Sequence, residues 1–456
     1  MKMRLPILQF WRAVRWSYWF VPSLMAIGAI LLGATAIWLD TTPAGELFEK
    51  LSWYQKSKPE GARSVLSAIA GSMITVAGVV FSITIVAISY AATQYGPRIL
   101  TNFMSDRGNQ VTLGTFIATF LYSLMVLRTI YDGDTIFVPQ LAVFLAMVFA
   151  ACSIAVLIYF VHHVPESIHV NHVAARIGRR LVRAMGKTFP AGSDHLPDDD
   201  DKPLPDFDSE IERFLGRGDD VAAVRAQESG YIQAMDIDEL VETACRHDLV
   251  VCLLRTPGDF VYSGRPYALA APADRVSEDA DRALRHCYSV GNLRTPFQDL
   301  HFLIDELVDI AARAMSSGVN DPFTARTCID WLAAGAAEMA GREAASRYRL
   351  DAEGVLRVIM PEVTFGDVMQ RGFGAVRSYV AHDLIAADHT IVMLASLSGR
   401  CRTGDQLQCV RYQVDGLMEL AKDKLAAEEF ARLDANARDC RRAIGRALDR
   451  RADAAA

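Results

Sequence analysis

The chain has no two cysteines spaced C-x-x-C, and its eight cysteines are scattered, seven of them after residue 240. That pattern excludes a zinc ribbon and a disulfide framework. Isolated thiols persist in a reducing compartment, which predicts a cytoplasmic C-terminal half. Enzyme templates are missing too. There is no G-x-G-x-x-G after a strand, no P-loop, no G-x-S-x-G elbow and no H-E-x-x-H. No catalytic residue and no cofactor is therefore indicated. Arg371-Gly372-Phe373-Gly374 carries two glycines at the wrong spacing for a dinucleotide fingerprint and reads as helix packing. Glycine and proline are ordinary and 51% of residues are hydrophobic, which rules out a disordered or collagen-like chain.

Charge is missing from four long stretches. Residues 16–39, 64–97, 108–127 and 135–161 hold no Asp, Glu, Lys or Arg, over 24, 34, 20 and 27 residues. A bilayer core is crossed by about 20 apolar helical residues, so each run is long enough to span. The first run is too long for a cleaved signal peptide, and no small-x-small site follows it. What charge there is divides unevenly. Residues 1–188 carry 16 Lys and Arg against 8 Asp and Glu, whereas residues 189–456 carry 31 against 46. The acidic half argues against a nucleic-acid partner. Lys and Arg cluster before the first run and after the fourth, so the positive-inside rule predicts a multi-pass inner-membrane protein with both termini cytoplasmic.

The second run is over-long, at roughly 50 Å of helix against a core of about 30 Å. Gly71, Thr75, Gly78, Ser82 and Ser89 share one face of it. Two readings stand. The stripe is a close helix–helix seam, or it lines a conduit at the axis of a homo-oligomer. Arg128, Asp132 and Asp134 form a candidate outer rim. His162, Glu166, His169 and His172 would share a face of a continuous helix, a weak candidate metal set that Pro165 interrupts and no cysteine supports. Beyond it, Arg176, Arg179, Arg180, Arg183 and Lys187 flank an apolar stripe. That amphipathic helix either lies on anionic headgroups or packs beneath the bundle.

The predicted organisation is a four-helix transmembrane domain (1–161), a basic juxtamembrane helix (162–188), an acidic, Pro-rich linker (189–208), a small α+β module (209–272) and a helical domain (273–456). The fold class is an α-helical polytopic membrane protein with a cytoplasmic α+β, mainly helical C-terminal region. In the module, strands are expected at 221–227, 231–235, 249–254, 260–262 and 267–271, the last two pairing around Gly264. Helices are expected at 277–289, 298–315, 322–340, 365–380, 383–398, 405–424 and 426–452, with one strand at 355–360.

Polar residues concentrate in Arg294-Thr295, Gln298-Asp299, Asp305, Asp309 and Arg313, then Asn320-Asp321-Pro322 and Thr324-Ala325. Asp321 before Pro322 makes a helix start, and Asn320 tolerates a left-handed turn. Much of the cluster is thus explained as scaffolding. The alternative is a ligand or subunit-interface site of Arg294, Gln298, Asp299, Asp305, Asp309, Arg313, Asn320 and Asp321. These motifs, with Leu307-Val308-Asp309-Ile310-Ala311, Gln94-Tyr95-Gly96-Pro97-Arg98, Gly230-Tyr231-Ile232-Gln233 and Pro257-Gly258-Asp259-Phe260-Val261, resemble the bacterial family known as domain of unknown function 2254, over about residues 20–430. The resemblance implies an integral inner-membrane protein with a soluble C-terminal part and brings no activity. The partners expected are the lipid bilayer and other copies of the chain. The function expected is a homo-oligomeric channel or transporter-like pore. The alternative is a membrane-anchored sensor or scaffold whose cytoplasmic part binds a small ligand or a protein.

Overall fold

The computed structural model describes residues 18–42, 58–96, 106–132, 136–189, 220–343 and 345–455. The expected linker lies outside them apart from Phe189. Two compact units are present, dividing at Val173.

Among the described residues the first unit holds four helices, α1 (Phe20–Asp40), α2 (Pro59–Tyr95), α3 (Arg107–Thr129) and α4 (Gln140–Ile168). All four are long and apolar enough to cross a bilayer. A two-residue ladder, β1 (Tyr131–Asp132) with β2 (Ile136–Phe137), joins the last two. Two of these helices, α3 and α4, start where an aspartate supplies a partner for their free N–H groups. Asp106 caps α3 by accepting from Gly108 N at 3.0 Å. Asp40, at the end of α1, accepts from Leu141 N (3.1 Å) and Ala142 N (3.0 Å) in the first turn of α4. In a hydrocarbon setting such unpaired donors are costly, so both caps are structural necessities. α3 packs against the other three helices. Two apolar clusters fill the unit, one around Leu66, Tyr122, Val126 and Val143, the other around Met73, Val80, Phe116 and Phe160.

The juxtamembrane boundary differs from expectation. The fourth span runs through Pro165 to Ile168, and the break falls at His169. Pro165 lacks only one ladder bond in the last turn, where free carbonyls already end the helix. The basic helix is α5 (Val170–Thr188).

From Val173 onward α5 belongs to the second unit. This unit holds β3 (Ala222–Arg225), β4 (Gly230–Met235), α6 (Ile237–Arg246), β5 (Val250–Leu253), β6 (Phe260–Val261), β7 (Pro266–Ala271), α7 (Glu278–His286) and β8 (Tyr288–Gly291). It continues with α8 (Leu300–Ala314), α9 (Pro322–Ala340), β9 (Tyr348–Leu350), β10 (Leu356–Ile359), α10 (Phe365–Met369), a π-helical turn (Gln370–Gly374), α11 (Ala375–Val380), α12 (Leu384–Ser398), α13 (Gly404–Lys422) and α14 (Ala427–Ala455). Side chains of Asp236, Ser277, Asp299, Asp321, Thr364, Asp383 and Thr403 cap the helices that follow them.

Two sheets form, ordered β3-β7-β5-β10-β9 and β6-β4-β8. Three expectations are corrected. The boundary at 272 is crossed, because β8, β9 and β10 pair into the module's sheets. The helix expected at 277–289 ends at His286, and the chain re-enters as β8 beside β4. β6 and β7 do not pair with each other. β7 is a wholly apolar run and takes a central place between β3 and β5, leaving β6 to pair with β4.

Candidate functional site

The polar motifs converge where the small sheet meets the start of α8. Gln298 fixes the loop to β4, accepting from Met235 N (2.8 Å) and donating to Met235 O (3.0 Å). Gln233 Nε2 donates to Leu293 O at 2.8 Å. Asp299 caps α8 through Phe302 N (3.0 Å) and receives Arg294 Nε at 2.8 Å. Gly258 stands at φ +100° beside this carboxylate, and a Cβ there would overlap it. Glycine is therefore required at 258 on two counts. Arg294 Nη1 reaches on to Asp305 Oδ2 at 2.6 Å. Asp305 is held from its other side by Arg371, Nε to Oδ1 at 2.7 Å and Nη2 to Oδ2 at 2.8 Å.

The result is a carboxylate clamped by two guanidiniums, with a second carboxylate deeper in. Burial works to raise the Asp305 pKa, but the hydrogen bonds from Arg371 and Arg294 outweigh it, and the group sits below the usual carboxylate value. Burial raises that of Asp299 against the pull of Arg294. His301, in the first turn of α8, is held below its ordinary value by burial and by the Arg371 charge, and its Nε2 has no hydrogen-bond partner.

Only four of the eight expected residues meet there: Arg294, Gln298, Asp299 and Asp305. Asp309 pairs along its own helix with Arg313 at 3.5 Å, half-exposed. Asn320 (φ 48°) and Asp321, which accepts from Phe323 N and Thr324 N, form the turn into α9. They lie one helix length away, about 20 Å. Sequence reasoning missed Arg371 and His301. Arg371 lies in the π-helical turn, where an extra residue per turn rotates its side chain onto Asp305. Its neighbour Gly372 does pack, a Cβ there standing 3.4 Å from Leu332.

The α2 stripe is exposed along its length. The buried face of α2 is instead Ala62, Leu66, Ala70, Met73, Ala77, Val80, Thr84, Ala87 and Ala91. A Cβ at Gly71 or Gly78 would meet nothing within 4 Å. Thr75 and Ser82 donate to the carbonyls of Gly71 (2.8 Å) and Gly78 (2.9 Å), one turn back, and Ser89 O accepts from Thr93. A seam of these residues between helices of one chain is thereby overturned, because α2 meets its bundle through a different, alanine-rich face.

Arg128 is exposed at the end of α3, Asp132 lies in β1, and Asp134 lies outside the described residues. The four residues of the metal candidate are all exposed, and the break at His169 takes them off a common helix face. The histidine with a carboxylate partner is His163, whose Nε2 is 2.9 Å from Asp106 Oδ2 and whose ring stacks on Tyr159. Among the described residues, Cys245, Asp351 and Glu353 bring ligand atoms within 4.8 Å of one another. Asp351 is already occupied by Arg357 Nε (2.7 Å) and two backbone N–H groups, and the guanidinium opposes a cation there. Of the two readings of α5, its apolar face takes the one against protein. Its apolar face is spent on α9, with Gly178 under the Trp331 ring and Leu181 against Gly335. Arg179, Arg183 and Lys187 stay exposed, while Arg176 and Arg180 are half-buried. Burial lowers the Arg180 pKa, opposed by Glu306.

Four apolar spans, with a mainly helical unit built around two small sheets, define a polytopic α-helical membrane protein. Residues 15–396 match the family described as predicted membrane protein (DUF2254), and the chain belongs to that family. Uncharacterized proteins Mb1321c of Mycobacterium bovis and Rv1290c of Mycobacterium tuberculosis are each 30% identical to it over 423 residues, covering 90% of this chain and 77% of theirs. No solved structure matches.

Proposed function

We propose that the protein is a homo-oligomeric channel or transporter-like pore of the bacterial inner membrane, with both termini in the cytoplasm and a cytoplasmic part that assembles and regulates it. One observation carries this reading: the glycine and hydroxyl stripe of α2 faces away from its own bundle. Small residues on a membrane helix permit close backbone approach, and here the stripe is left free for another copy to approach. Hydroxyls brought to an oligomer axis would line a wet passage. The reading assigns the chain no catalytic step. In planar bilayers the purified protein passes current under voltage, tension or ligand, and Ser82→Leu abolishes it. Absence of current under all three, with Ser82→Leu unchanged in oligomeric state, ends the proposal.

A sensor or scaffold is the second reading, supported by the clamp of Arg294, Asp305 and Arg371 beside the unpartnered nitrogen of His301. A ligand-induced rise in Tm of the full chain, lost in Arg371→Ala, supports it. A screen of small anions and metabolites that leaves Tm unmoved argues against it.

A further inference from the structure

One arginine of α5 carries its charge inward without a partner. Arg176 Nε and Nη2 are both buried and neither has a hydrogen-bond partner; among the described residues no other arginine buries two unmatched nitrogens. Those two atoms form one edge of the guanidinium, the edge that grips two oxygens of a single anion side by side. Arg371 shows the arrangement elsewhere in the same unit, its Nε and Nη2 each bound to an oxygen of Asp305. A buried cation with nothing to answer it is costly, so Arg176 stands there at a loss of stability.

Its surroundings add positive charge. Arg176, Arg180 and Arg183 follow at steps of four and three, on one flank of α5. Burial lowers the Arg180 pKa; Glu306 of α8, 2% exposed, opposes this, and repulsion from Arg176 and Arg183 reinforces it. Three guanidiniums thus share one carboxylate, which leaves two positive charges in excess. The backbone beneath them is fixed, because Gly178 packs under Trp331 and Gly335 under Leu181. Arg183 is exposed, so the row opens to water at that end. The ends of the row are about 10 Å apart along the helix, within reach of two long side chains that lean toward Arg180 between them.

We propose that Arg176, Arg180 and Arg183 form a binding site for a dianionic phosphate group. Phosphate carries close to two charges near neutral pH, which matches the excess. The Arg176 edge takes two of its oxygens, and a third remains for Arg180 or Arg183. A carboxylate, with one charge and two oxygens, leaves an arginine unanswered. Arg176 as a whole is half-buried, and a turn of its side chain brings the edge out over Arg180 without unpacking α5. The site rests on neither the α2 stripe nor the Asp305 clamp. Soluble phosphate and a phosphomonoester lipid headgroup present the same group, and the test separates them.

The full chain is placed in phosphatidylcholine nanodiscs. Tm is followed as inorganic phosphate is added, or as phosphatidate replaces part of the phosphatidylcholine. At least one probe raises Tm. A rise with phosphate alone assigns a soluble ligand, a rise with phosphatidate alone assigns the headgroup, and a rise with both shows a site that takes the group from either source. Arg176→Lys keeps the charge but loses the paired edge, and lowers the affinity read from the titration at least tenfold. Arg176→Met abolishes the response; without ligand its Tm stays level or rises, since it strands no partner, so the loss is not a loss of fold. Arg179→Gln removes the same charge from the exposed face and leaves the affinity within twofold. No rise with either probe overturns the proposal, as does a rise that survives Arg176→Met or one that Arg179→Gln removes as fully. Arg371→Ala leaves the response intact. If it abolishes the response while Arg176→Met keeps it, the ligand belongs to the Asp305 clamp and this site is refuted.

Discussion

Asp305 shows how far one side chain organises the second unit, since it receives Arg294 from the loop before α8 and Arg371 from 66 residues away. Asp305→Ala strands both guanidiniums, and removing one partner of a buried pair costs about 3–5 kcal/mol. Arg371 is 39% exposed, so water screens its share and the lower end is expected, read as a fall in chemical-denaturation midpoint. Gly258→Ala combines a left-handed backbone with overlap on Asp299, and destabilises by about 2 kcal/mol in the same measurement. His301 gives a pH signature. Its folded pKa lies below its unfolded one, so the unfolded chain binds more protons between those two values. Stability therefore rises as pH climbs from the folded value toward about 6.5 and is lost on acidification through that window. His301→Gln flattens this slope; a variant that keeps it assigns the effect elsewhere. Arg294, Gln298, Asp299 and Asp305 were legible because polar residues gathered at the start of an apolar helix stand out. Arg371 was not, since no local pattern announces a partner so distant in sequence.

Helices were the most legible elements, because a side-chain cap followed by apolar periodicity leaves a local trace. Strands were less so. The helix expected at 277–289 runs into β8 (Tyr288–Gly291), and only pairing with β4 makes that segment a strand. The face that α5 buries was equally hidden, as an amphipathic helix reads the same against headgroups or protein. Gly178 settles it: any side chain there drives into Trp331. Gly178→Val is expected to cost about 3 kcal/mol or more through overpacking, while Arg179→Ala and Lys187→Ala, both exposed, stay within about 0.5 kcal/mol. Thermal melts of the three variants check the contrast.

Across the whole molecule, four uncharged runs gave the membrane part outright, since length and apolarity are summed properties. The second unit was readable only piecemeal, because its sheets join strands from 222 to 359. A fragment beginning at residue 170 keeps α5 on α9 and is expected to elute as one monodisperse species. One beginning at 207 uncovers Trp331 and Gly335 and aggregates; equal behaviour of the two on gel filtration contradicts the packing described. The link from Asp40 to the start of α4 has a further bearing, on biosynthesis. During translation the first span enters the membrane a hundred residues before the segment it caps has been made. Those two hydrogen bonds close only when the fourth span arrives, so a change at the end of α1 would be felt at the last step of assembly.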